Sequence, residues 1–167
     1  MRRAVAMGAA MMLAGCATAG ETPQGPGTPV AIEGDAISYA TEACYGTCPV
    51  YSVSLRPDGR GTFIGERFTA VSGTREFTAP PETYRKLEAL LQPYRPDMGE
   101  RRIEPGTADC ANAPTDMPST TVNWTSMRGD GQSLHLYSGC RAENEALAKA
   151  LADVPALLPI ADFIGKR

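Results

Sequence analysis

One histidine, His135, serves the whole 167-residue chain. A metal centre built on several imidazoles is therefore excluded, and any histidine-dependent triad must use that one ring. The chain has no Cys-x-x-Cys pair of the thioredoxin kind, no Gly-x-Ser-x-Gly elbow to present a nucleophile, and no phosphate-cradling glycine loop. No apolar run reaches the roughly 20 residues that a membrane-spanning helix needs. Internal repeats are absent, and no segment is polar enough to read as a disordered second half. Basic residues are in deficit, 16 Lys and Arg against 19 Asp and Glu. A nucleic-acid binder would carry a basic footprint, so nucleic acid is set aside as a partner.

What is present begins at the N-terminus. Arg2 and Arg3 form a charged start, Ala4 to Met12 a short apolar run, and Leu13-Ala14-Gly15-Cys16 a lipobox whose thiol would receive a diacylglyceryl group before cleavage. Residues 1–15 thus read as a lipoprotein signal peptide that is removed. The anchor is lipid: each buried methylene contributes about 0.8 kcal/mol, and two or three acyl chains hold where one holds only marginally. Ala17 stands where an inner-membrane retention signal usually carries Asp. In a Gram-negative host the expected location is therefore the cell envelope, lipid-anchored at the outer membrane and facing the periplasm. Cleavage also removes Arg2 and Arg3, which leaves 14 basic residues and a formal charge of −5. Met7, Met11 and Met12 leave with the signal, so the methionine count carries no metal inference.

Residues 16–34 combine the lipidated Cys16 with Gly20, Gly25, Gly27, Gly34, Pro23, Pro26 and Pro29, the composition of a flexible tether. Its coil would span on the order of 25 Å. Residues 35–167 suit a single globular domain with one core.

Within that domain, Ile37 to Ala43 reads as a strand, and Tyr51, Val53 and Leu55 alternate with serines in the period of a half-buried strand. Asp58-Gly59 supplies the positive φ angles of a tight turn, Gly61 to Gly65 returns with Phe63 inward, and Thr74 to Thr78 follows the Ser72-Gly73 turn. Pro81 suits a first helical position, and Tyr84, Leu87, Leu91 and Tyr94 recur at helical spacing until Pro93 and Pro96. Met98 to Pro118 lacks periodicity and reads as a long loop, a kind usually functional or pinned by a crosslink; Cys110 offers the pin. Thr120 to Met127 and Ser133 to Ser138 read as strands around a Gly129-Asp130-Gly131 turn. A second helix from about Ala142 to Val154, ended by Pro155, precedes a last turn at Leu157, Ile160 and Ile164. The expected fold is α+β: an antiparallel β-sheet with two main helices packed on one face, stabilised by disulfides.

The segments Cys44-Tyr45-Gly46-Thr47-Cys48-Pro49-Val50-Tyr51-Ser52-Val53, Thr115-Asp116-Met117-Pro118-Ser119-Thr120 and Tyr137-Ser138-Gly139-Cys140, in that order, resemble the bacterial domain-of-unknown-function 6438 family. The resemblance covers roughly Ile37 to Gly165. Its first motif, with the following Asp-Gly hairpin, is the most specific. The family is common in exported proteins and lipoproteins and has no established activity, so the resemblance implies a domain and a fold but no catalytic residue. Pro80 stands where a Ser or Thr helix cap would be expected.

With Cys16 lipidated, Cys44, Cys48, Cys110 and Cys140 remain, and four cysteines allow three pairings. The resemblance implies Cys44–Cys48 and Cys110–Cys140, because members of the family that lack the later two cysteines keep the first two. By chain entropy the short loop would stabilise by about 2 kcal/mol and the long one by about 3.5. An oxidising compartment favours structural disulfides. A redox pair at Cys44 and Cys48 is the sharper alternative, but Pro49 and a strand pattern follow where a thiolate-stabilising helix N-terminus would be needed. A zinc site from the four thiolates with His135 is the third, disfavoured by the distance between Cys110 and Cys140 in sequence. No metal and no cofactor is implied.

Three further residues are candidate binding positions: Tyr45, Asp116 and His135. His135 alternates with Leu134 and Leu136, which puts it beside Tyr137 on the other face of its strand as a half-exposed side chain. Asp116 precedes Pro118, Ser119 and Thr120, where its side chain can hydrogen-bond the backbone that ends the long loop. Tyr45, Tyr51, Tyr84, Tyr94, Trp124 and Tyr137 could form an exposed aromatic recognition surface, but Tyr51, Tyr84 and Tyr94 fall in apolar stripes and most of the set reads as core or half-buried strand residues. The expected function is a non-catalytic binding or structural domain, held at the membrane through Cys16, for an envelope protein, peptide or glycan. The alternative is an envelope enzyme, thiol-dependent at Cys44 and Cys48 or hydrolytic at His135.

Overall fold

The computed structural model describes residues 35–126 and 131–165. The lipobox, the Gly/Pro stretch to Gly34 and most of the Gly129-Asp130-Gly131 turn lie outside them. In chain order the elements are β1 (Ala36–Thr41), β2 (Val50–Leu55), β3 (Arg60–Arg67), β4 (Gly73–Thr78), α1 (Pro81–Leu91), β5 (Gly99–Ile103), β6 (Ser119–Thr125), β7 (Gly131–Tyr137), α2 (Glu145–Leu157) and α3 (Ala161–Ile164). The strands form one sheet in the order β4-β3-β2-β1-β6-β7-β5.

Side-chain alternation and register together make one face apolar. Tyr39 pairs with Val53 and with Val122, and Val122 with Leu134, so each strand's apolar set meets the next. Leu87 and Leu91 of α1, with Leu147, Leu151 and Val154 of α2, complete a single core on that face. The opposite face carries Ser38, Ser52, Ser54, Thr121, Asn123 and Ser133 on successive central strands. Short hydroxyl and amide side chains there leave the backbone ladder unburdened and the face open to water, as antiparallel sheets allow.

The α+β architecture and its two main helices are as expected, with differences that have physical reasons. Residues 99–103 form a strand rather than loop, and β5 pairs in parallel with β7 at the sheet edge. Its sequence, Gly99-Glu100-Arg101-Arg102-Ile103, buries only Ile103, so it lacks the apolar alternation by which a strand is recognised. The Asp58-Gly59 hairpin has positive φ at Gly59 alone, at 85°. Gly59 N–H donates to the Arg56 carbonyl and Arg56 N–H to that of Arg60, a three-residue loop with a bulge in which Pro57 takes the turn's second position. The last helix pattern also shifts: residues 141–144 are turn, α2 starts at Glu145, and Pro155 lies inside its last turn. A proline there forfeits only the bond its missing N–H would have made to Leu151. Pro80 caps α1 without a side-chain hydrogen bond, and Pro81 opens it.

Candidate functional site

Both disulfides join as the family resemblance implies, Cys44 with Cys48 and Cys110 with Cys140. Cys110 and Cys140 are 0% exposed and belong to the core. They pin the segment between β5 and β6. Around them Asn144 Nδ2 donates to the Asp109 and Cys140 carbonyls, while the Tyr137 hydroxyl donates to Pro114 and accepts from Met117 N–H. Cys44–Cys48 closes a five-residue loop between β1 and β2, and on it Tyr45 stands 92% exposed. As disulfides, the four sulfurs are not the thiolates that a zinc site requires.

His135 lies on the open face as its alternation predicts, but it is buried, 6% exposed, rather than half-exposed. Its neighbours on both flanking strands account for this: Thr121 pairs with it from β6 and Arg102 from β5. The Thr121 hydroxyl is 3.0 Å from His135 Nδ1. Arg102 in turn bonds Glu100 Oε1 at 2.8 Å and Glu104 Oε2 at 2.9 Å, and its guanidinium holds the Glu104 carboxyl below its usual range. Burial first, and the Arg102 charge second, lower the pKa of His135, so the ring is neutral at pH 7. Glu42 Oε1 stands 4.0 Å from the same Nδ1. A relay of the serine-hydrolase type needs its acid on one ring nitrogen and its nucleophile on the other. Here hydroxyl and carboxylate share one nitrogen.

Asp116 adopts a left-handed backbone, φ 63°, and its carbonyl accepts from Tyr45 N–H at 3.2 Å. Its carboxylate takes the neighbouring Thr115 hydroxyl at 3.0 Å rather than a backbone donor. The fold thus brings Tyr45 and Asp116 together through their main chains. His135 instead has Thr121 and Glu42 at its Nδ1.

The helical face holds a cleft of about 940 Å³ where α2 and α3 leave the ends of the strands uncovered. Its floor is Tyr39, Thr41, Tyr51, Thr120 and Leu136; α2 contributes Ala148, Leu151, Ala152 and Pro155, and α3 ends on it at Ile164. Thr47, Cys48 and Pro49 of the disulfide loop form one lip, where the Thr41 hydroxyl donates to the Pro49 carbonyl at 2.8 Å. Phe68 forms another, 52% exposed and in the left-handed region at φ 56°, with the Arg67 guanidinium 5.6 Å from its ring centre. A bulky residue held there costs about 1–2 kcal/mol, and such strain gathers at binding sites. Arg141 lies at the far end beside Ser138. Large pockets that mix an apolar floor with a few polar groups are the usual ligand sites.

Neither Phe68 nor Arg141 stands out in the sequence. Phe68 follows a strand as any turn residue would, and the only local signal for Arg141 is its place next to Cys140. No curated protein matches the chain. A family model described as "Domain of unknown function (DUF6438)" matches residues 35–158, and the chain belongs to that family.

Proposed function

We propose that this protein is a lipid-anchored lipoprotein of the bacterial envelope whose domain binds an envelope protein, peptide or glycan without turning it over. The binding half of this reading is carried by the 940 Å³ cleft with its strained aromatic lip and disulfide-closed rim. The anchoring half rests on Leu13-Ala14-Gly15-Cys16 and on the tether composition to Gly34, with Ala17 favouring the outer membrane's periplasmic side. An envelope enzyme is the second reading, favoured by the 3.0 Å contact between Thr121 and His135. It is weaker because the ring is buried and Glu42 faces the nitrogen that the hydroxyl already uses.

Expression of the full chain and of Cys16→Ser in a Gram-negative host, with labelled palmitate and a photo-crosslinking residue in place of Thr47, tests both halves. The full chain is expected to take up label, fractionate with the outer membrane and give a discrete crosslink. The Cys16→Ser form is expected to lose label and membrane attachment. Absence of label in the full chain would remove the anchor. Turnover of a substrate that stops in a folded His135→Ala variant would replace binding by catalysis.

A further inference from the structure

The geometry points to an extended peptide of about six residues as the ligand of this cleft, its carboxylate end on Arg141 and a large apolar side chain on Phe68. This rests on the binding reading above and adds ligand class, length and direction.

Length follows from the sheet order. The floor runs from the end of β3, where Phe68 sits, across β2, β1 and β6 to the end of β7, where Ser138 sits. Four strand spacings of about 4.8 Å make about 19 Å, and six extended residues at about 3.3 Å each cover the same distance. Direction follows from the chemistry along that line. The β3 end offers Phe68 with Ile164, the middle offers the Thr120 hydroxyl, that of Thr41 being engaged with the Pro49 carbonyl and Tyr51 N–H, and the β7 end offers Arg141.

Charge decides which group lies at the β7 end. Glu42 also borders the cleft, but its Oε1 stands 4.0 Å from His135 Nδ1, so its carboxylate reaches towards the opposite face. Among the described residues the Arg141 guanidinium has no ion pair and no side-chain hydrogen bond, and a free guanidinium matches a carboxylate with two parallel bonds. A single acyl chain would bring nothing to pair with the Thr120 hydroxyl of the floor, and the open cleft would leave it partly in water. Peptide amides pair with such a hydroxyl and keep their outer side solvated.

At the apolar end the backbone is held in place for contact. Ala70 N–H donates to the Ile164 carbonyl and Val71 N–H to that of Phe163, both at 3.0 Å, which locks the Phe68 loop on α3. The ring is thereby kept at the lip despite the left-handed strain at its own residue.

The test uses the full-length chain in detergent micelles and fluorescent hexapeptides read by polarisation. Each carries Phe or Leu at its first position, a Gly/Ser/Ala mixture in the middle, and either a free or an amidated C-terminus. Free-carboxylate peptides are expected to bind about tenfold or more tightly than amides, the effect of one charge-assisted hydrogen bond. Arg141→Glu should reverse the preference towards the amidated peptides, and Ala152→Trp, which fills the α2 wall, should remove binding. Circular dichroism and intact disulfides establish that both variants fold. Equal binding of acid and amide forms, or no reversal in folded Arg141→Glu, would overturn the proposal. If no peptide binds but a soluble glycan fragment does, and Ala152→Trp blocks it, the peptide class falls while the binding reading stands. If nothing binds and the Thr47 crosslink is also absent, both fall.

Discussion

The disulfide Cys110–Cys140 closes a separation of 30 residues with both cysteines at 0% exposure, whereas Cys44–Cys48 closes a separation of 4 and sits half-buried at the cleft wall. The first ties an irregular segment into the core between α2 and the sheet. The second adds little to the core and shapes a surface, holding Thr47, Cys48 and Pro49 against the cleft and displaying Tyr45. One crosslink therefore serves the fold, and the other serves a loop that a ligand would meet.

Removing each in turn should separate the two roles. Cys110→Ala with Cys140→Ala is expected to cost about 3.5 kcal/mol or more, because unfolded-chain entropy rises and two buried sulfurs leave a void. Urea melts followed by tryptophan fluorescence would measure it. Cys44→Ser with Cys48→Ser is expected to cost about 2 kcal/mol. Its loss of hydrogen-exchange protection should be confined to residues 42–49. Equal global destabilisation by the two double variants would erase the distinction.

Phe68 sharpens the comparison from the other lip of the cleft. Both Phe68→Gly and Phe68→Ala discard the ring, but only glycine relieves the left-handed backbone. The glycine variant should melt about 1 kcal/mol more stable than the alanine variant, and any ligand of the cleft should bind both more weakly than it binds the native chain. Identical stabilities would mean that the strain is not held at that residue.

The smallest expected effect lies at His135, on the open face of the sheet. Burial lowers the His135 pKa below its usual 6.5, so well above pH 6.5 the ring is neutral both folded and unfolded and adds no pH slope. As pH falls below 6.5 the unfolded chain takes the proton first, and stability declines until the folded ring also protonates. His135→Gln should flatten the difference in urea midpoint between pH 7.5 and 5.5 while leaving cleft binding at pH 7.5 unchanged. An unaltered pH slope in that variant would show that the ring is not the group responsible.

Much of the fold is legible where a side chain's surroundings follow from its own period. Phe63, Val53 and Leu136 alternate with polar partners and are core; Leu87 and Leu91 recur at helical spacing and are core as well. Legibility fails where the partner is distant. The Glu100–Ile103 segment is charged because it is an edge, and it is a strand because β7 offers it backbone bonds from 33 residues away. His135 reads as half-exposed from its own strand, yet Thr121, Arg102 and Glu42 converge on it from three others or their ends. Of the three candidate binding residues, Tyr45 and Asp116 do meet, but through main-chain atoms to which their side-chain types give no clue.

The sequence by itself determined the strands and helices that carry periodicity, the α+β class, the family and, through the family's cysteines, the disulfide pairing. These are properties of spacing along the chain, which local sterics and burial convert directly into structure. Only the tertiary structure decided that a parallel edge strand completes the sheet, that His135 is buried, and that Phe68 and Arg141 stand at opposite ends of one cleft. Those depend on which strands become neighbours, and that is fixed by packing the whole apolar face at once rather than by any window of sequence.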